Sequence, residues 1–566
     1  MGIISTSNSQ PDDVSEIERV LVDGETVSGA VDYKGRPAIR SASGYWRSAS
    51  FIIGVEVTER LCYYGIQSNL INYLTERLHQ STATAAKNVN VWVGTASLLP
   101  LFGAFFADSY LGRYRTIILA SFLYILGLGL LALSASGMLP STHEFQTIIF
   151  FISLYLVALG QAGHKPCTQA FGADQFDENH PKESQERSSF FNWWYFTLCA
   201  FCSLTLWVLN YIQDNLSWVL GFGIPCLLMI FGLIIFLLGT KTYRFTINGD
   251  ENEKKKKKNP FLRIARVFLA AIRNWKRSSP SDIAIKEKTC GTLPHQSSEQ
   301  FKFLNKALFV TNDSKQNEAN CNLIEVEEAK AVLRLLPIWA TSLVYGLASA
   351  QVPTFFTKQG LTMDRNILLG FQIPPASLQF IIPCAIILFT PFYDFIFVPL
   401  ARSITNKPFG ITMLQRIGIG MFISIITLAI AALIEMRRLK EAKEALLMSV
   451  WWLIPQYFLF GIADVFTIVG LQEFFYDQVP NELRSMGVAM YLSVLGVGSL
   501  LSSFMIGVIE EVSGKDGGKS WFDDDINEAH IDYFYWLLSG LSLMAFVVYI
   551  CFAKSYIYGK KGITLE

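Results

Sequence analysis

Twelve stretches of this chain are each long and apolar enough to cross a lipid bilayer, and this repetition limits the fold more than any other feature. A bilayer core is about 30 Å thick and takes ~20 mostly apolar residues to span. The candidate spans are residues 46–75, 88–110, 114–136, 145–168, 188–213, 216–239, 331–354, 373–400, 411–435, 446–474, 485–510 and 532–553. Within hydrocarbon a segment must satisfy its own backbone N–H and C=O groups, so runs of this length read as helices. The expectation is an all-α membrane protein of twelve transmembrane helices.

The spacing is uneven in one place. Between the sixth and seventh spans lies a polar stretch of roughly ninety residues that contains the run Lys254 to Lys258. The chain therefore divides into a tail (1–45), a first six-helix bundle (46–240), a basic linker (241–330), a second six-helix bundle (331–553) and a short tail (554–566). Lysine and arginine in short loops mark the cytosolic side. Arg113 and Arg115, the lysine run, Arg402 and Lys407, and Lys554, Lys560 and Lys561 all fall on one side, with both tails. One loop dissents, since Arg437, Arg438, Lys440 and Lys443 follow the ninth span and would face the other way. The first 45 residues hold no apolar run of signal-peptide length, so the N-terminus is expected to be uncleaved and cytosolic.

Acidic and basic residues balance at 47 each, which gives no case for a nucleic-acid partner. The cysteines show neither a disulfide framework nor a zinc spacing, so no metal or cofactor is expected. A faint repeat supports two parallel halves. The fourth span ends Phe171-Gly-Ala-Asp174-Gln175 and the tenth ends Phe474-Phe-Tyr-Asp477-Gln478.

Charges inside spans carry the functional argument, because an ionised group at mid-bilayer costs ~2.5–3.5 kcal/mol and must face a cavity or a partner. The first span holds Glu56-Val-Thr-Glu59-Arg60. Glu56 and Arg60 are four apart, a favourable helical pair. Two acids against one base leave a surplus carboxylate, which in low dielectric can take up and release a proton. The alternative is a neutralised cluster near a membrane surface. Lys165 lies late in the fourth span and Glu473 late in the tenth. Aligning the two F-x-x-D-Q ends puts them five residues apart in register, about 7.5 Å of helix rise, so a bridge between the bundles is expected to close the cytosolic side. Asp464 is a further intramembrane acid, left unassigned. His164 is a candidate proton relay, and Tyr63, Tyr64, Trp193, Trp194 and Tyr195 are candidates to line a cavity or merely to pack. Gly103, Asp108, Gly112 and Arg113 frame a tight turn between the second and third spans, read as a charge clamp that moves with the conformational cycle.

These residues carry a family resemblance. The chain resembles the plant nitrate/peptide transporter family, within the proton-dependent oligopeptide transporters of the major facilitator fold. The resemblance rests on Glu56-x-x-Glu59-Arg60 followed by Tyr63-Tyr64-Gly65, on Lys165-Pro-Cys with Phe171-Gly-Ala-Asp-Gln-Phe-Asp177, on Glu473-Phe-Phe-Tyr-Asp-Gln478, and on the Gly103-to-Arg113 turn. It implies that Glu56, Glu59 and Arg60 couple protons, that Lys165 and Glu473 form an inter-bundle salt bridge, and that substrate binds between the bundles. Three positions depart from relatives. Gln67 stands where peptide transporters often have arginine. Ser349 stands where a nitrate-binding relative has histidine. The span-five pattern is degraded to Phe191-Asn-Trp-Trp-Tyr-Phe-Thr-Leu-Cys199. Thr116 aligns with a threonine phosphorylated in a relative, and Arg113-x-x-Thr116 suits a basophilic kinase as partner.

The function so implied is proton-driven symport of a small anion, nitrate above all. A di- or tripeptide, or an organic acid such as a hormone, is the alternative substrate class. A channel or a transport-inactive receptor is an alternative of another kind, and the surplus carboxylate disfavours the channel. No Walker loop, zinc-protease helix or nucleophile elbow is present, so no enzymatic activity is expected. The membrane is expected to be the plasma or the vacuolar membrane of a plant cell.

Overall fold

The computed structural model describes residues 26–138, 143–177, 180–246, 260–275, 301–308, 321–366, 370, 372–405, 411–479, 484–514 and 520–556. The lysine run Lys254 to Lys258 lies outside them, as does most of the C-terminal tail. Among the described residues, eleven helices are long and apolar enough to cross a membrane. A twelfth, α1 (Tyr45–Gln67), carries the charged cluster in its middle and continues through a break at Ser68–Asn69 into α2 (Leu70–Glu76). The first bundle adds α3 (Thr82–Phe106), α4 (Arg113–Ala135), α5 (His143–Ala173), α6 (Pro181–Asn215) and α7 (Trp218–Leu238).

A short helix, α8 (Pro260–Arg273), falls between the bundles in sequence. The second bundle begins with α9 (Leu323–Ser349), eight residues earlier than the expected boundary at 331, because Asn322 and Glu325 form a capping box that starts the helix there. A wide turn at Val352–Phe356, with Pro353 at its start, leads into α10 (Thr357–Leu361). The eighth span is α11 (Ile381–Phe392), widened after Pro391 and continued as α12 (Val398–Thr405). The bundle is completed by α13 (Met413–Lys443), α14 (Ile454–Asp477), α15 (Arg484–Ser513) and α16 (Ile531–Ser555).

The stretch 26–45 and the start of the linker are not simple coil. Strand β1 (Thr26–Val31) pairs antiparallel with β2 (Pro37–Ile39) and with β3 (Phe245–Thr246). Arg40 binds Asp177 and Glu183, each at 2.8 Å, and the fully buried Arg244 reaches Glu183 at 2.6 Å. These contacts join the chain before α1 to the α5–α6 turn and to the end of α7. A strand of six residues is easily missed beside spans of twenty, and the reading of a tail and a linker gave no sheet.

The dissenting basic loop is resolved by helix length. The ninth span runs on to Lys443, so its basic residues lie on the helix. Arg438 is 2% exposed and pairs with the fully buried Glu435 at 2.7 Å, while also donating to Thr362, Asn527 and the Ile526 carbonyl. Arg437 pairs with Glu441 and sits over the Trp452 ring. Arg438 is thus an internal tie, which the loop-charge rule does not count.

The bundles meet along two seams. Helix α3 packs against α15, where a Cβ on Gly94 would strike the Gly496 carbonyl, and α6 packs against the turn Pro375–Phe380 and α11. Close approach at small residues is how membrane helices gain contact. Side-chain hydrogen bonds between described residues of opposite bundles run from mid-molecule to one end. The Lys87 ammonium meets Glu510 at 2.6 Å, Asn90 donates to Ser502 at 3.0 Å, Gln379, held within its own bundle by Thr357 at 2.8 Å, donates across to the Ser68 carbonyl at 2.9 Å, and Lys358 meets Thr75. Gly44, Gly112, Asp174 and Gln478 mark the other end.

Candidate functional site

Helix α1 sets the charged cluster in the interior of the first bundle. Arg60 holds Glu56 at 2.9 Å and stands 3.4 Å from Glu59. Both carboxylates are buried, and the guanidinium is 13% exposed. By hydrogen-bond geometry, one Glu56 oxygen and both Glu59 oxygens have no donor among the described residues. One guanidinium therefore faces two buried acids, and Glu59 has the weaker hold on it. The arrangement is a charge surplus that a proton can cancel.

Lys165 projects from α5, half-buried, and interacts electrostatically with Glu56 and Glu59. It makes no ion pair within 4 Å with a described residue. The expected bridge to Glu473 is absent from this conformation. Glu473 is 47% exposed and pairs with Arg416 of α13 at 3.3 Å, inside its own bundle. In the first bundle Arg113 of α4 pairs with Asp174 at the end of α5. The repeat aligns Asp174 with Asp477, so Glu473 stands four residues before the position of Asp174 and the two ion pairs are not equivalent.

The acid that faces the first bundle is Asp464. It accepts from the Tyr345 hydroxyl at 2.6 Å and interacts electrostatically with Tyr195 of α6 and with Tyr491. Asp464 and Glu473 are nine residues apart, which on an α-helix is about 180° around the axis. The two acids therefore lie on opposite sides of α14, Asp464 beside Tyr345 and Glu473 beside Arg416.

The remaining candidates divide. Tyr63 is buried and stacked on Trp92 at 5.5 Å, and so packs, while Tyr64 meets it edge-on and stays half-buried. Trp194 is buried against Phe190, whereas Trp193 and Tyr195 are exposed. Gln67 ends α1 and Ser349 ends α9, both half-buried at the points where these helices break. His164 is fully buried, hydrogen-bonds Ser121 of α4 at 2.8 Å and interacts electrostatically with Arg60.

The turn after α3 keeps its expected shape. Gly112 has φ of 75°, which favours glycine, and a Cβ on Gly103 would strike the Ala162 carbonyl. The side chain of Asp108 lies outside the described residues. Among the described residues Arg113 pairs with Asp174, and the expected clamp to Asp108 lies outside them. Thr116 is buried and donates to the Gly112 carbonyl at 3.0 Å, so a kinase would meet it only after the first turn of α4 opens.

Two membrane-crossing helical bundles, with buried charges inside the first beside a partly accessible lysine and with the carboxylate of Asp464 in the second, are the build of a membrane transporter. A model of the POT family, PTR2, matches residues 114–522, and the chain belongs to that family. It is similar to Protein NRT1/PTR FAMILY 5.10 of Arabidopsis thaliana, with 58% identity over 93% of this chain and 96% of that protein. Protein NRT1/PTR FAMILY 5.13 of the same plant is 54% identical over 94% and 97%. Among solved structures, an auto-inhibited POT family peptide transporter superposes with a TM-score of 0.71 at 21% identity, covering 91% of this chain and 99% of that one. The POT family transporter PepTSo gives 0.70 at 21%, over 90% and 98%. At that identity the structures show the fold, which is the twelve-helix fold expected from the spans.

Proposed function

We propose that this chain is a proton-coupled symporter that moves a small anion, nitrate above all, by alternating access. The observation that carries the reading is the Glu56–Glu59–Arg60 cluster, where one guanidinium faces two buried carboxylates beside Lys165. Protonating the surplus acid frees positive charge on Arg60 and Lys165 to hold an anion. The bonds between bundles at the Lys87–Glu510 end support an inward-facing reading, in which the Lys165 and Asp464 side of the junction is toward the cytosol. Lys165 and Asp464 would approach when the cytosolic side closes, taking the role first expected of Lys165 and Glu473. The plasma or vacuolar membrane fits the plant relatives.

Asp464 also supports a second reading. A zwitterionic peptide could set its carboxylate on Lys165 or Arg60 and its amine on Asp464, while Gln67 lacks the charge of the arginine common in peptide transporters. Uptake by the reconstituted chain over nitrate, dipeptides and acidic hormones, with and without an inward proton gradient, separates these. Gradient-stimulated nitrate uptake is the expected result. Stimulation by dipeptides alone would overturn the anion reading.

Lys165→Ala removes a charged hydrogen bond to the anion, worth about 1.5–3 kcal/mol, or roughly ten- to a hundredfold in affinity. Nitrate affinity measured by tracer counterflow should fall by that amount, and Lys165→Arg should recover part of it. Wild-type affinity in Lys165→Ala would place the anion elsewhere.

A further inference from the structure

We infer that α8 is a membrane-surface helix that binds the anionic phospholipids of the leaflet beside it. This rests on the inward-facing orientation above only for which leaflet is meant, since the lipid chemistry follows from the helix itself.

One face of α8 is already used. Ile264, Val267 and Ala271 are buried against Leu304, Ala307 and Val326, and Arg263 pairs with Glu328 of α9 at 2.8 Å. The opposite face is apolar and open. Leu269 is 68% exposed, Ile272 66% and Trp275, just past the helix end, 58%. Leu269 and Ile272 are three apart and Ile272 and Trp275 three apart, so they form one stripe. Fourteen residues span about 21 Å, too short to cross a bilayer.

The charge around this stripe has one sign. Arg266 lies half-buried and Arg273 exposed on the helix, and Lys306 sits 5.3 Å from the Trp275 ring centroid while its ammonium meets the Trp275 carbonyl. No acidic residue occurs between Pro260 and Trp275. The sequence is also basic on either side, with Lys254 to Lys258 before the helix and Lys276 and Arg277 after it. An apolar stripe with a tryptophan at its end and arginines beside it is the composition of a helix lying in the headgroup layer. Basic residues beside such a helix select anionic headgroups. A neutral or acidic rim would have argued for a protein partner or for plain hydrocarbon.

The test uses the detergent-purified full chain, with dioleoyl-phosphatidylserine and dioleoyl-phosphatidylcholine in equimolar competition and bound lipid read by native mass spectrometry. Wild type should prefer phosphatidylserine. Each basic residue near an anionic surface contributes roughly fivefold, so Arg266→Glu with Arg273→Glu should cut that preference by about 25-fold or more. Arg266→Lys with Arg273→Lys should keep it. Leu269→Glu with Ile272→Glu should weaken the binding of phosphatidylserine by removing the apolar contact. All these positions face outward or sit at the rim, and each variant's melting temperature checks that it is folded. Equal binding of the two lipids by wild type, or a preference unchanged in the charge-reversed variant, would overturn the assignment. Binding of an acidic protein such as calmodulin with no response to phosphatidylserine would overturn it as well. None of these outcomes depends on which solute is carried, so the lipid assignment and the transport reading fail separately.

Discussion

Glu59→Gln should abolish concentration of substrate against a gradient while leaving exchange of substrate for substrate partly intact. Glu59 is fully buried, has no hydrogen-bond donor among the described residues, and shares Arg60 with a better-placed Glu56. Of the two glutamates in the cluster it is the one less tightly held by Arg60, and so the one a proton is better able to neutralise. A glutamine copies the shape of the protonated acid and cannot lose the proton. The variant should still bind substrate and pass between the two facing states when both sides hold substrate. It should not convert a proton gradient into a substrate gradient, so net uptake should stop when inside and outside concentrations match. Proteoliposomes with an imposed pH gradient measure the first property, and tracer counterflow measures the second. Continued accumulation above the outside concentration by Glu59→Gln would remove Glu59 from the coupling site.

Arg438→Ala should be among the most damaging substitutions for folding in the second bundle. The residue is 2% exposed and makes bonds to four partners, among them both oxygens of Glu435, which is itself fully buried. Removing it strands a carboxylate in low dielectric, at a cost of about 3–5 kcal/mol, against a typical net stability of about 5–15 kcal/mol. The expected outcome is a steep loss of folded protein, measured by size-exclusion yield and melting temperature. Replacing both partners, Glu435→Gln with Arg438→Met, removes both charges together and should recover part of the loss. If Arg438→Ala is obtained in normal yield with an unchanged melting temperature, the pair does not hold the fold.

Much of the fold was legible because a bilayer enforces simple rules. Span length, apolar content and the gap between six and six followed from hydrocarbon thickness alone. The Glu56–Glu59–Arg60 cluster was legible for the same reason, since charge inside a span demands an account. The parts that were missed need direction and distance around a helix. Glu473 pairs with Arg416 in this conformation, a partner that aligning helix ends could not show, and Arg438 looked like a loop charge because the helix was taken to end eight residues short of Lys443. Asp464 was visible as a residue and had no assigned task until Tyr345 and Tyr195 were found beside it. The small sheet at Thr26–Val31 was missed because one of its two partner strands is three residues long and the other is two residues long and more than two hundred residues away.

The clasp among Ser68, Gln379 and Thr357 has a consequence for where such a protein can work. Amides and hydroxyls do not titrate between pH 4 and 8, so the strength of this contact is the same in a neutral cytosol, an acidic cell wall or an acidic vacuole. This clasp is therefore deaf to acidity, while the Lys87–Glu510 ion pair at the same end and the carboxylates deeper in the molecule respond to it. Acidification outside loosens one tie of the closed end and leaves the amide clasp to hold it.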